Sequence, residues 1–388
     1  MEQTNVLVTG GCGFLGTAIV SALLTTKRFS ITAMDINPPS LGSSTFPTQV
    51  RYVRADVLDR DALQKVFNEA KPAIVVHTVG VYPLGAARYS TRGKDAVFKV
   101  NVEGTRNVID AAKACGAKGL VYTSSVTVVL DRLMQDFKNI DETWPAGDVD
   151  TSYGQSKVRF PQPPYYFPTQ SPSYPLFLPS NLNNTQAIAE SLTLTSSHPT
   201  FPTIALRSAP IFGPTDPVII PTIHALIAAR STPFILGNAT NLQDYVYIDN
   251  IAHAHVLAVQ NLLGAQTAAG HAVFVTNGQP VTVRDLCMAV WNEFGHTPRW
   301  QVTLPEGLAW GLGYVAEWGS WVAGADLGFS RGMVSDGCRE RYVNIAKARR
   351  VLGYKPIVSL EEGVRRTCEA YRKKIEGRSK RGGREEIR

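Results

Sequence analysis

Asn5-Val6-Leu7-Val8-Thr9-Gly10-Gly11-Cys12-Gly13-Phe14-Leu15-Gly16 is the stretch that decides the fold. Asn5 to Thr9 reads as a strand buried on both faces of a parallel sheet, because its apolar run does not alternate. Glycines at 10, 13 and 16 then provide a tight turn, a close backbone approach and the start of a helix. A helix N-terminus opening from such a turn attracts an anion such as a pyrophosphate. Gly10, Gly13, Phe14, Leu15 and Gly16 are therefore the candidate contacts. The helix is expected from Phe14 to about Thr26, and a second strand, Ser30 to Met34, ends at Asp35. An acid at that strand end accepts hydrogen bonds from both ribose hydroxyls and repels a 2′-phosphate, which favours NAD over NADP.

The alternation continues outward from this unit. Val50 to Arg54 reads as a strand leading to Asp56 and Val57, placed to flank an adenine. Asp59 to Ala70 reads as a helix that Asp59 or a neighbour can cap. Ala73 to His77 is a fourth strand, with Gly80 where a backbone must pass near the cofactor; His77 itself reads as a strand-end residue. Val97 to Cys115 reads as one long helix whose Asn101 can hold active-site backbone through its amide. Gly119 to Thr123 is a fifth strand ending at Ser124 and Ser125, and Thr203 to Leu206 a sixth. The pattern specifies an α/β fold, a Rossmann-type doubly wound parallel sheet with a smaller C-terminal substrate lobe. We divide the chain into a nucleotide domain over 1–207, a mixed lobe interleaved with it over 208–371, and a basic disordered tail over 372–388.

Tyr153 and Lys157 lie four residues apart, one helical turn on one face. An ammonium so placed lowers the pKa of the phenol towards the working pH. Behind a dinucleotide turn, this pair points to hydride transfer.

Composition narrows the reading further. The net charge of +7 resembles a nucleic-acid signal, but residues 372–388 hold eight Lys or Arg against three Glu, a surplus of five, leaving +2 elsewhere. No basic stripe crosses the fold, and no nucleic-acid partner is expected. Five cysteines without a CxxC pair favour reduced thiols, and no metal site is expected. His253 and His255 alternate on a helix and do not share a face, which suits packing better than metal binding. The N-terminus enters a strand at once, without the pattern of a signal peptide. Over Leu304 to Gly324, Trp310, Tyr314, Trp318 and Trp321 recur at helical spacing; Glu306 and Glu317 argue against a spanning helix. A core-packed aromatic stripe and a surface dipping into a membrane interface both fit this segment.

Motifs along the chain carry a family resemblance. GGCGFLG (10–16), DINPP (35–39), FKVNVEGTRNVIDAAKACG (98–116), VYTSS (121–125), DETWP (141–145), YGQSK (153–157), LRSAPIFGP (206–214), DYVYIDNIAHAH (244–255) and NIAKARRVLGYKP (344–356) occur in family order. Together they resemble an extended short-chain dehydrogenase/reductase of the 3β-hydroxysteroid dehydrogenase branch, nearest the fungal sterol-4α-carboxylate 3-dehydrogenases (decarboxylating). The resemblance implies Tyr153 as catalytic acid/base and Lys157 as the residue that binds the nicotinamide ribose and depresses the tyrosine pKa. It implies Ser125, with Ser124 as alternative, as the hydroxyl that bonds the substrate oxygen. Pro210 falls in the loop beside the nicotinamide. It further implies NAD as cofactor, a lipophilic sterol-like substrate, and a place on the cytoplasmic face of the endoplasmic reticulum membrane or in the cytoplasm, with peripheral contact through 304–324. A homodimer is compatible with the sequence. Epimerases and reductases of other secondary alcohols share the superfamily motifs, and a catalytically impaired product is a further alternative.

That impairment would come from Val158 to Gln186. In relatives the lysine runs straight into Ala-x-Ala-Glu; here Ala187-Ile188-Ala189-Glu190 comes 29 residues late. The intervening segment has seven prolines and one charge, Arg159. Pro161 stops the helix within about a turn of Lys157. We read the segment as a translated intron: a Val codon begins GT, a Gln codon can be CAG, and 29 codons, or 87 bases, keep the frame. A genuine proline-rich insertion is the alternative. Weak or absent turnover is expected with the segment in place.

Overall fold

The computed structural model describes residues 3–37, 39, 47–82, 94–130, 135–146, 185–323 and 331–385. Tyr153, Lys157 and nearly all of 158–186 lie outside them.

In the N-terminal half, β1 (Thr4–Thr9), α1 (Phe14–Thr25), β2 (Phe29–Asp35), β3 (Arg51–Arg54), α2 (Arg60–Ala70) and β4 (Ile74–His77) repeat strand and helix. The Asp59 carboxylate accepts the Ala62 N–H and caps α2. Where one helix was expected over 97–115, α3 (Lys94–Phe98) and α4 (Gly104–Ala114) are joined by a π-helical turn, Lys99–Glu103. That turn carries Asn101. Such single π turns often occur at functional sites. β5 (Leu120–Ser125), α5 (Thr127–Leu130), β6 (Phe137–Ile140), α6 (Thr185–Thr195), β7 (Thr203–Ser208) and β8 (Ile211–Phe212) follow.

The C-terminal half begins with α7 (Ile219–Ala228), β9 (Phe234–Leu236), β10 (Leu242–Gln243), β11 (Val246–Tyr247), α8 (Ile248–Leu263), β12 (His271–Val275), β13 (Val281–Thr282) and α9 (Val283–Glu293). It ends with β14 (Val302–Leu304), α10 (Glu306–Ala323), α11 (Arg331–Cys338), β15 (Arg341–Val343), α12 (Ala346–Leu352) and α13 (Leu360–Glu385). The tail expected to be disordered from 372 instead continues α13 to Glu385. Lys, Arg and Glu are good helix formers, and Lys373 pairs with Glu369 one turn back.

Seven strands form one parallel sheet in the order β12-β7-β5-β4-β1-β2-β3. Strand order reverses between β1 and β4, and ligands of open α/β sheets bind beyond the strand ends at such a point. The middle strands are buried on both faces, Leu7 and Val75 towards one apolar cluster, Val6, Val8, Ile74 and Val76 towards another. A second, smaller sheet runs β13-β10-β15-β6. It takes β6 from the N-terminal half, while β12 returns from the C-terminal half to the main sheet. Tyr247 is in the core, its ring edge-on to Phe212 at 5.6 Å.

Candidate active site

The turn after β1 is built for close backbone approach. Gly10 has φ +68°, and a β-carbon there would sit 2.8 Å from Thr78 Oγ1. At Gly16 a β-carbon would lie 2.0 Å from the Gly10 carbonyl oxygen. Gly13 is the N-cap of α1 and brings no side chain, while the first turn holds no acid. Phe14 and Leu15, half-buried, begin the helix. A helix N-terminus left open in this way fits a dinucleotide pyrophosphate.

Asp35 ends β2 and leans across the turn. Its Oδ2 accepts the Cys12 N–H at 3.1 Å and its Oδ1 the Asn37 N–H at 3.0 Å. The carboxylate is half-exposed, so it can accept further bonds from a ribose. Burial and the Asp35 charge together push the Cys12 thiol up to about 11, which leaves it protonated at neutral pH. Asp56 is exposed and its carboxylate accepts the Leu58 N–H at 2.9 Å. Val57 turns inward: its side chain packs against Gly104 and its carbonyl accepts the Asn107 amide.

Beyond β4 the chain passes Thr78 and Gly80 to Val81. Asn101 grips this segment with both ends of its amide, Oδ1 accepting the Val81 N–H at 2.7 Å and Nδ2 donating to the Val81 carbonyl at 3.0 Å. Gly80 is exposed, and a β-carbon there would lie 3.7 Å from Asn101 Oδ1. The π-helical turn thus holds the backbone that flanks the switch point.

At the end of β5 the two serines have different surroundings. Ser124 is buried and donates to Glu190 Oε2 at 2.5 Å. Glu190 in turn takes the Arg207 guanidinium as a two-pronged partner, Nη2 to Oε1 at 2.7 Å and Nε to Oε2 at 3.1 Å. Both charges are almost wholly buried. Ser125, half-buried, accepts the Thr127 N–H at 3.2 Å and the Thr127 hydroxyl at 2.9 Å, leaving its own proton to give. Pro210, exposed after β7, accepts the Val246 N–H through its carbonyl at 3.0 Å. The structure therefore gathers Gly10, Gly13, Gly16, Asp35, Gly80 and Ser125 at the ends of neighbouring parallel strands.

The Glu190–Arg207 pair was not expected from the sequence. The signal was available: each is the lone charge in an apolar run, AIAESLTL and TIALRSAPI, and a lone charge in a buried element needs a partner. His255 is buried, donating from Nδ1 to the Ile251 carbonyl at 2.8 Å and accepting the Thr123 hydroxyl at Nε2, 2.8 Å away.

Fold and site together define a Rossmann-type, extended short-chain dehydrogenase-like protein. A sequence profile of the 3-beta hydroxysteroid dehydrogenase/isomerase family matches residues 7–159 and 170–306. The chain belongs to that family. It is 34% identical to the sterol-4-alpha-carboxylate 3-dehydrogenase, decarboxylating, of Schizosaccharomyces pombe, over 95% of this chain and 97% of that one. The Saccharomyces cerevisiae protein of the same name is 35% identical over 94% and 96% of the two chains. Among solved structures, the Thermus thermophilus UDP-glucose 4-epimerase in complex with NAD shares the fold, with TM-score 0.64 at 21% identity, covering 95% of this chain and 99% of that one. The profile match breaks at 160–169, inside the proline-rich segment.

Proposed function

We propose that this protein oxidises the 3β-hydroxyl of a sterol that carries a 4-carboxylate, using NAD, and that the product loses carbon dioxide. End-to-end similarity to decarboxylating sterol dehydrogenases, on a chain whose glycine turn and Asp35 fit a dinucleotide, carries this reading. Gly10, Gly13, Gly16 and the first turn of α1 would hold the pyrophosphate, and Asp35 the adenosine ribose. When bound, the nicotinamide supplies the acceptor for the hydride leaving C3. Tyr153, its phenol made acidic by Lys157, takes the proton of the 3-hydroxyl. Ser125 donates its free proton to the same oxygen and steadies its developing charge. The 3-ketone then stands beta to the carboxylate. The bond from C4 to the carboxyl carbon breaks, its electron pair enters the enolate, and a proton later restores the carbon–hydrogen bond. Incubation of the full chain and of the 158–186 deletion with NAD and 3β-hydroxysterols, with and without a 4-carboxylate, tests this. NADH and carbon dioxide in equal amounts from the carboxylated sterol alone are expected. NADH without carbon dioxide reduces the reading to simple oxidation, and no NADH from either protein refutes it.

We also propose that exposed apolar residues of α10 and of the segments around β9 and β14 rest on a lipid surface. Phe234, Trp300, Val302, Leu308, Trp310, Leu312, Tyr314 and Val315 are each between 41% and 63% exposed. Arg331 lies over the Trp310 and Tyr314 rings at 5.2 and 5.0 Å, a pairing of aromatic and cation suited to a headgroup region. No helix among the described residues is long and apolar enough to cross a membrane. Flotation with anionic vesicles is expected to carry the protein, and a Trp310→Ser/Tyr314→Ser variant to stay behind. Absence of the unaltered protein from the lipid fraction ends this part.

A further inference from the structure

We propose that His77 is a positioning residue that couples two walls of the dinucleotide crevice: the glycine turn after β1 and the Val81 segment after β4. The inference rests on the proposed NAD site and deepens it.

The coupling is a run of hydrogen bonds with one direction. Thr105 Oγ1 donates to the Asn101 carbonyl at 2.6 Å, so its proton is committed. It can therefore only accept from His77 Nε2, 3.0 Å away, which must carry the ring hydrogen. Nδ1 is then bare and accepts the Thr9 hydroxyl at 2.7 Å. The opposite tautomer would leave two acceptors facing each other at Thr105. Burial also holds the imidazole far below its ordinary pKa, at about 3, so it stays neutral.

Both ends of the run touch the crevice walls. Thr9 immediately precedes Gly10. Its carbonyl accepts the Thr78 hydroxyl at 2.7 Å and the Thr78 N–H at 3.3 Å, so the turn and the strand-end segment are also in direct contact. Asn101 holds Val81 from the other side. Thr9, His77, Thr105 and Asn101 are all buried, so water does not compete for these bonds. His77 is too deep to touch a substrate; it acts through the walls it ties together.

Mere satisfaction of a buried histidine predicts something different. The two threonines would then act independently. Calorimetric titration of NAD into the full chain separates these cases. Thr9→Val and Thr105→Val each interrupt the run. Each is expected to weaken NAD binding about tenfold, and the double variant also about tenfold, because one break already ends the coupling that runs through His77. In a His77→Leu background neither threonine should matter further. Should that variant fail to fold, His77→Asn keeps only the Thr9 partner and His77→Gln only the Thr105 partner; each should match the single threonine variants. A roughly hundredfold, additive loss in the double variant overturns the coupling, as does a lowered melting temperature with NAD affinity unchanged. A wild-type chain that takes up no NAD instead removes the dinucleotide reading, and the coupling falls with it.

Discussion

A methyl group at residue 16 has nowhere to go, because the Gly10 carbonyl oxygen already occupies the space. Gly16→Ala is expected to cost about 3 kcal/mol or more of stability and to abolish NAD binding, read by denaturant unfolding and calorimetry. Retained NAD affinity in a folded Gly16→Ala protein would contradict the cradle. Glu190 and Arg207 make a second prediction at this scale. Removing one partner strands a buried charge, so Glu190→Ala should lose about 3–5 kcal/mol. Arg207→Met combined with Glu190→Leu should lose markedly less. Equal losses in urea unfolding would mean that the pair contributes through packing alone. The glycines and Asp35 were legible in the sequence because backbone geometry demands particular residues there. The division of labour between Ser124 and Ser125 was not, since it depends on Glu190 arriving from 66 positions away.

The helix α6 carries Glu190, and its seat is complete among the described residues. Ala187 and Ala189 are buried, Thr193 donates to the Ala189 carbonyl, and the ion pair binds the helix to β7. Deleting 158–186 joins Lys157 directly to this seated helix. Turnover of the deletion protein is therefore expected to exceed that of the full chain at least tenfold. Equal turnover by both would show that the segment leaves Tyr153 and Lys157 correctly placed. Periodicity made most elements of the nucleotide half readable, with ends displaced by one or two residues. It missed the π-helical turn at Lys99–Glu103, because one extra backbone residue hardly disturbs an apolar repeat. It also left α10 ambiguous: an aromatic stripe at helical spacing looks the same whether it faces a core or a lipid.

For the molecule as a whole, the buried histidines set the response to acid. His77 and His255 are held neutral by burial, with folded pKa values of about 3 and 4 against an ordinary 6.5. Above pH 6.5 neither state binds the proton and their full contribution is present. As pH falls towards 4 the unfolded chain takes up protons that the folded one refuses, so stability declines. Asp244, pushed up to about 6 by burial, works the other way, but over a narrower span than the two histidines together. A melting temperature that falls steadily from pH 7 to pH 4.5 is expected, and a flat profile would contradict the buried neutral rings. The order of the seven strands follows from the sequence only through general rules of α/β winding. The exchange of β6 and β12 between the two sheets does not, because two-way crossing leaves no local mark.

In the proposed reaction a hydride leaves C3 of a sterol for a nicotinamide held at this crevice. That transfer is tested most directly with a 3β-hydroxy-4-carboxysterol bearing deuterium at C3, incubated with NAD and the 158–186 deletion protein. Deuterium should appear at C4 of the recovered NADH, one for each carbon dioxide released. Unlabelled NADH, or label retained in the sterol or lost to water, would rule out hydride transfer from C3.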